Sequence, residues 1–436
     1  MDDVKTSKKI KYFIYLFIFL VPLSTVFSRF LLNFIIVFFF AFLLFYSIKY
    51  KYWDCFKSNI AAYTLIFFMY LLLTNILYHD ANLKIILKLI WIFAIIFIIF
   101  TIPKIFLLLN KNNFKYSFTI FLFSFIVFVQ LDTIYQYFNP NFQDIFGYET
   151  NSIRSYTVFD KVINLPIRLT GPFGDEQVVG FYLATYGLLS IYLLKRVFCL
   201  SWRLYFILII FNYFIIILSG ERSSVIIYTL TIIISEFLFP IKIYKKILIF
   251  FSIISFLLAF VYFNPTTKER FADINYYLNF NKNKDDIAET SNLVKDVFKT
   301  PWGTLWYSSF LLWESKPLLG IGIKNYQHLC PELELRDKEN VEWSQCNNHP
   351  HNYFFELLAE TGLVGLFLFF LIIFEILKNF ILKFRKNDDM IMVVSILIAL
   401  LFPLKPSGAL FSSWYGSFFW FIIAFYIFIE KKENDH

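Results

Sequence analysis

The sequence predicts an all-α, polytopic membrane protein with about twelve transmembrane helices and one large loop subdomain. Three observations predict it. The chain has 436 residues, 58% hydrophobic and 22% aromatic, with mean hydropathy +0.62; soluble domains are about half apolar. The apolar residues come in repeated runs of roughly 20, each long enough to cross a hydrocarbon core of about 30 Å. Basic residues gather in alternate connections between those runs, as topology demands. A barrel would show period-two alternation over short segments instead.

The spans are centred near residues 20, 39, 69, 94, 126, 186, 211, 231, 254, 365, 397 and 420. The first run, 12–28, follows Lys5, Lys8, Lys9 and Lys11 and so resembles a signal peptide. No small-residue cleavage site follows and another span begins at once, so it is read as a span. An even number of spans puts both termini on one side. The N-terminal lysines with Lys431 and Lys432 make that side cytoplasmic. The inside connections agree: Lys49, Lys51 and Lys57; Lys104, Lys111 and Lys115; Lys195, Arg196 and Arg203; Lys242, Lys245 and Lys246; Lys378, Lys383, Arg385 and Lys386. The net charge of +8 is therefore mostly a topology signal, and nucleic acid is not an expected partner.

The chain reads as one integral membrane domain, 1–436, with two long outer connections, 137–175 and 264–350. Only the second is large enough for a small subdomain outside the membrane. Cys55 and Cys199 fall in inside connections, where thiols stay reduced. Cys330 and Cys346 both fall in the large outer one. An oxidising periplasm permits a disulfide there; two separate thiols are the plainer alternative. No Walker loop, dinucleotide fingerprint or Cys/His cluster with ligand spacing appears, so neither a cofactor nor a metal is expected. Asp285 and Asp286 are adjacent acids in a Lys/Asn-rich stretch and read as solvated.

Chemistry in a membrane protein lies where charge defies the solvation rules. Three such places lie on the predicted outer side. In LSGERSSV, 218–225, a minimal turn carries Glu221 and Arg222 between two apolar runs. Arg222 either snorkels to lipid phosphate or clamps a diphosphate bidentately. In RLTGPFGDEQVVGFYL, 168–183, Arg168 precedes a Gly/Pro turn, and Asp175 and Glu176 then open a helix. Capping explains one of those acids, and Arg168 is placed to face a ligand. In NNHPHNYFFELLAETGLVG, 347–365, Pro350 stiffens the approach and Asn352 is the expected N-cap. His351 then sits at the helix mouth, as an alternative cap or as an imidazole that takes or orients the proton of an attacking hydroxyl. Glu356 and Glu360 share one helical face turned into the bundle. Gly362 and Gly365 allow close approach of a neighbouring helix. Together the three suggest a cationic, imidazole-bearing cleft suited to a lipid-linked anionic substrate.

The spacing His351-Asn352, nine residues, Gly362, two residues, Gly365 resembles the signature of the O-antigen ligase and O-antigen polymerase superfamily. KPLLGIGIKNY, 316–326, LSGERSS, DTIYQYF, 132–138, and RLTGPFGDEQVVG resemble its other elements, so the core of the resemblance is 132–365. It implies a GT-C-like, metal-independent, inverting glycosyltransferase of the bacterial inner membrane, working on the periplasmic face. The implied donor is a glycan on undecaprenyl diphosphate. The implied acceptor is a hydroxyl on the lipid A-core (ligase) or on a growing polysaccharide (polymerase), with membrane lipid around it. Arg222 is implied to hold the diphosphate and His351 to act as base or to orient the acceptor. Many members carry a second arginine at a position that falls here on Trp302; Arg168 is the favoured replacement, with Lys316, Lys324 and Arg270 as alternatives, or one arginine alone holds the donor. The rival class is a lipid-linked oligosaccharide flippase or other secondary transporter, which needs midplane charge and related halves. Asp132 alone leans that way. His351 is selected over His349 by the asparagine after it and the spacing to the glycines.

Overall fold

The computed structural model describes residues 8–78, 83–107, 111–150, 153–158, 161–166, 168–264, 267–268, 301–336, 346–403 and 408–434. Arg270 and the Asp285–Asp286 pair lie outside these. The first five helices are α1 Lys8–Phe27, α2 Arg29–Tyr50, α3 Asn59–Tyr78, α4 Leu83–Leu107 and α5 Lys111–Phe138. Next come α6 Val179–Tyr182 and α7 Leu188–Phe198, joined by a π-helical turn, then α8 Trp202–Leu218, α9 Arg222–Leu238 and α10 Ile243–Phe263. The last are α11 Pro301–Ser315, α12 Tyr326–Arg336, α13 Tyr353–Asn379, α14 Asp388–Leu400 and α15 Ser413–Asn434.

Every span centre read from the sequence falls in a helical segment. Among the described residues, 7 helices are long and apolar enough to cross a membrane, and Ile14–Phe27 and Trp202–Leu218 are shorter apolar helices. The remaining centres fall on the broken helix α6–α7, on α9 with its buried Glu236, and on α14, which has 13 residues. The protein is thus a polytopic helical membrane protein. Its departure from an all-helical build, among the described residues, is a two-stranded antiparallel hairpin: β1 Ile153–Val158 pairs with β2 Lys161–Pro166. The strands are rich in β-branched residues and too short to register against the surrounding apolar runs.

The chain divides into two compact units. One comprises 1–32, 107–276 and 386–400. In it α9 packs along α14 and α5 along α7. A polar ladder crosses its core: Gln130 donates to Asn212 Oδ1 (2.7 Å), and Asn212 Nδ2 donates to the Leu183 carbonyl (3.0 Å). Leu183 opens the π-helical turn Leu183–Gly187, whose wider winding leaves that carbonyl available. Gly187 is required there, because a Cβ would stand 2.9 Å from Asn212 Oδ1. Asp132 is also structural: its Oδ1 accepts the Ile145 N–H (2.8 Å) and folds the following loop back on α5. The residue that leaned toward transport thus has a local task.

The other unit comprises 33–106, 277–385 and 401–436. Here α3 and α11 pack on α13. Helix α13 breaks at Gly362 (φ 64°, ψ −169°). The break frees carbonyls before it and N–H groups after it, and orphaned backbone groups in an apolar setting cost several kcal/mol each, on the order of a lost hydrogen bond in lipid. Segment 317–322 supplies their partners. Ile321 and Gly322 donate to the Ala359 and Glu360 carbonyls (2.9 Å each), and Leu363 and Val364 donate to those of Pro317 and Leu318 (2.9 and 3.2 Å). Tyr70 of α3 pins both strands of this insertion, donating to Thr361 O (2.6 Å) and Leu319 O (3.1 Å). A Cβ on Gly362 would come within 2.4 Å of Leu318 O, and one on Gly320 within 2.5 Å of Gly362 N. The sequence reading had Gly362 admitting a neighbouring helix. It admits a loop backbone instead, because the glycine is at positive φ and cannot continue the helix. At Gly365 the expectation is nearer: an added Cβ would meet Tyr70 of the neighbouring helix at 2.9 Å, besides the side chain of Thr361.

Candidate functional site

The first unit brings two of the three expected segments together. Leu169 N donates to Ser219 O (3.0 Å), which ties the loop carrying Arg168 to the turn carrying Glu221 and Arg222. Glu221 is buried. Its two carboxylate oxygens accept the N–H groups of Gly180 (3.0 Å) and Phe181 (3.1 Å), and Ser224 Oγ donates to it at 2.7 Å. It therefore caps the start of α6 from another element. Gly180 makes room, since a Cβ would lie 2.6 Å from Ser219 Oγ. Burial pushes the Glu221 carboxyl up; Ser224, the Arg168 charge and the two backbone donors pull it back. Arg168 is half-buried, with Nη1 donating to Gln177 Oε1 (3.4 Å) and its carbonyl accepting from Thr150 (2.7 Å). Arg222 is the first residue of α9, half-buried, directly after the Glu221 N-cap.

The capping expected of one of Asp175 and Glu176 is done by neither. The N-cap of α6 is Val178, without a side-chain cap. Asp175 is exposed, and Glu176 is exposed and pairs with Arg29. Glu221, distant in sequence, has taken the N-terminus they were expected to serve.

The second unit carries the histidine segment. Asn352 is the N-cap of α13: its Oδ1 accepts the N–H of Phe354 (2.9 Å) and Phe355 (3.4 Å), and its Nδ2 donates to Pro403 O (2.7 Å). His351, just outside the helix, has φ 54°. Left-handed backbone is uncommon for non-glycine residues, with histidine among those that adopt it more readily, and Lys51, Phe142, Cys199 and Lys324 share it. Its ring meets Trp302 edge-on at 5.0 Å and lies 4.0 Å from that of His349. Asn347 Nδ2 is 3.3 Å from His351 Nε2. Cys330 and Cys346 are joined in a disulfide with Cα atoms 5.7 Å apart. Cys330 is packed with Leu312, Ile321, Tyr326 and Ala359, so the bridge anchors the approach to His351 on the core.

Glu356 and Glu360 are both buried, on the face expected. Each holds a loop. Glu356 Oε2 accepts the Leu410 N–H at 2.6 Å and takes that of Phe411 too. Glu360 takes those of Lys324 and Tyr326. One oxygen of each, Glu356 Oε1 and Glu360 Oε2, has no hydrogen-bond partner among the described residues. Two cations bear on them: Lys324, which the sequence names only as a candidate to hold the donor, and Lys88, which it does not single out. Lys88 of α4 lies half-buried, with Nζ 3.4 Å from Ser413 Oγ and 3.9 Å from the Trp91 ring, and its charge acts on Glu356 as that of Lys324 does. The available signal was an ionisable residue inside a strongly apolar helix. Lys324 is half-buried and engaged with these acids, and Lys316 is exposed. Arg168, beside Glu221, remains the candidate to replace the missing arginine. Among the described residues no group of acids, histidines and cysteines has the makings of a metal site.

Comparison with known proteins addresses the same region. Residues 204–370 match the profile of a family described as "O-Antigen ligase". The chain is 30% identical over 73 residues to a protein of Rickettsia conorii (strain ATCC VR-613 / Malish 7) named "Putative polysaccharide ligase". That alignment spans 16% of this chain and 18% of the relative. The resemblance of this chain to the O-antigen ligase superfamily is therefore supported, over residues that include both the Arg222 turn and the His351 helix mouth.

Proposed function

We propose that this protein is a glycosyltransferase of surface-polysaccharide biosynthesis. It moves a glycan from undecaprenyl diphosphate to an acceptor hydroxyl at the periplasmic face of the bacterial inner membrane. Its fold is GT-C-like with twelve spans. The observation that carries the reading is His351: an imidazole held in left-handed backbone at the capped mouth of a membrane helix, inside the segment matching the O-antigen ligase family.

The acceptor oxygen attacks the anomeric carbon from the face opposite the diphosphate, and configuration inverts. The C–O bond to the diphosphate breaks, and its electron pair leaves with the phosphate oxygen. The acceptor proton passes to the His351 imidazole. A diphosphate is already an activated leaving group, so the protein has to position it, offset its growing charge and deprotonate the acceptor. Arg222 and Arg168 hold the diphosphate by charge-assisted hydrogen bonds. Glu221 supports them by fixing the α6 start against their turn, and Asn352 supports His351 through the cap. No metal has a part in this scheme.

Deleting the gene and examining the lipopolysaccharide on gels tests the reading and its two forms. Loss of all capping marks a ligase acting on the lipid A-core. A core bearing a single repeat unit marks a polymerase. An unchanged lipopolysaccharide and an unchanged capsule or exopolysaccharide contradict the proposal.

A further inference from the structure

We propose that Trp302 forms an acceptor subsite beside His351, on which a neutral pyranose ring of the acceptor stacks. This rests on the transferase reading above. Trp302 and Trp306 stand one turn apart on α11, on the face that packs on α13. Trp306 lies flat on Phe355, with centroids 5.5 Å apart and planes at 10°, and so forms a fixed wall. It is 7% exposed, and its Nε1–H has no acceptor among the described residues. Trp302 keeps part of its surface open while touching His351. Around the imidazole the structure places an indole, a second imidazole and the exposed carboxamide of Asn347. Asn348 beside it is also exposed.

That set suits one ligand chemistry. A pyranose offers C–H groups to an aromatic face and hydroxyls to carboxamides, and rigid aromatics bind it at low entropy cost. An anionic group would call for a guanidinium or ammonium at this position, where the chain has tryptophan. A sugar stacked on Trp302 would lie beside His351, whose ring centroid is 5.0 Å from that of the indole.

Full-length protein in nanodiscs, as wild type, Trp302→Leu and Trp302→Phe, tests the subsite by saturation-transfer NMR. The probes are core oligosaccharide and repeat-unit glycan released by mild acid from the producing strain. Wild type and Trp302→Phe should transfer saturation to sugar C–H protons, and Trp302→Leu should not. In the transfer assay Trp302→Leu should raise acceptor KM roughly tenfold, about one stacked ring's worth, with donor KM unchanged and kcat little altered. Melting curves establish that each variant is folded, and Trp302→Met, likewise without an aromatic face, carries the test if Leu is not. No saturation of either probe by wild type, or unchanged binding and acceptor KM in Trp302→Leu, overturns the subsite. Wild type that binds sugar through Trp302 yet transfers nothing refutes the transferase reading alone.

Discussion

At the scale of single residues, groups that act are distinct from groups that hold. Arg222 is assigned to the diphosphate, and the fork of a guanidinium grips two phosphate oxygens as an ammonium does not. Arg222→Lys should therefore lose most transfer activity at normal expression; full activity would reduce Arg222 to a point charge or lipid anchor. Asn352→Ala removes a cap and should lower stability by about 1 kcal/mol, read as a lower melting temperature. Lys88 and Glu356 should be coupled. Lys88→Met removes one of the two cations that act on buried Glu356 and should lower the melting temperature. Lys88→Met with Glu356→Gln should recover part of that loss, and strictly additive effects would contradict the coupling. Of these residues the histidine, the cap and the arginine were legible in sequence, because spacing and turn chemistry are local. Lys88 was not, since one lysine barely alters the apolar average of Leu83–Leu107. Its significance depends on Glu356 and Lys324, which lie far along the chain.

At the scale of elements, the central device is the break at Gly362 filled by segment 317–322. Two stretches of sequence that look like separate signatures are one structural unit, each completing the other's backbone hydrogen bonds. Gly362→Ala should be strongly destabilising: φ 64° with ψ −169° is a region essentially open to glycine alone and costs other residues about 1–3 kcal/mol, and the new atom overlaps Leu318 O. The measurement is the yield and melting temperature of the purified variant. A variant as stable as wild type would mean that the helix runs through and the loop is not inserted. The sequence could not announce this break, because α13 stays apolar on both sides of the glycine and hydropathy continues across it. Capping by one of Asp175 and Glu176 is likewise a local expectation that the fold does not meet. Acids before a helix are the usual local solution, whereas Glu221 reaches α6 through a turn in the chain that only the fold brings near. The hairpin 153–166 was hidden by its shortness.

At the scale of the whole molecule, the helical, multi-span build was legible because lipid imposes its period and length on any chain that crosses it. Which helices face lipid was less legible. α9 and α14 pack on one another and have only 17 and 13 residues, too short to be counted as spans by length. Side-specific labelling tests the orientation. The native Cys199 is exposed and should react only with a reagent admitted to the cytoplasmic side, and Asn347→Cys only with one outside; the reverse pattern would invert the topology. The central claim, a transferase that draws on a lipid diphosphate with His351 as base, is tested most directly in proteoliposomes. These would hold purified protein, undecaprenyl-diphosphate-linked glycan with a labelled sugar, and the acceptor. The account predicts labelled acceptor with wild type and none with His351→Ala at equal incorporation and equal melting temperature. Labelled acceptor from His351→Ala at the wild-type rate would contradict it, as would wild type that only carries the intact donor between leaflets.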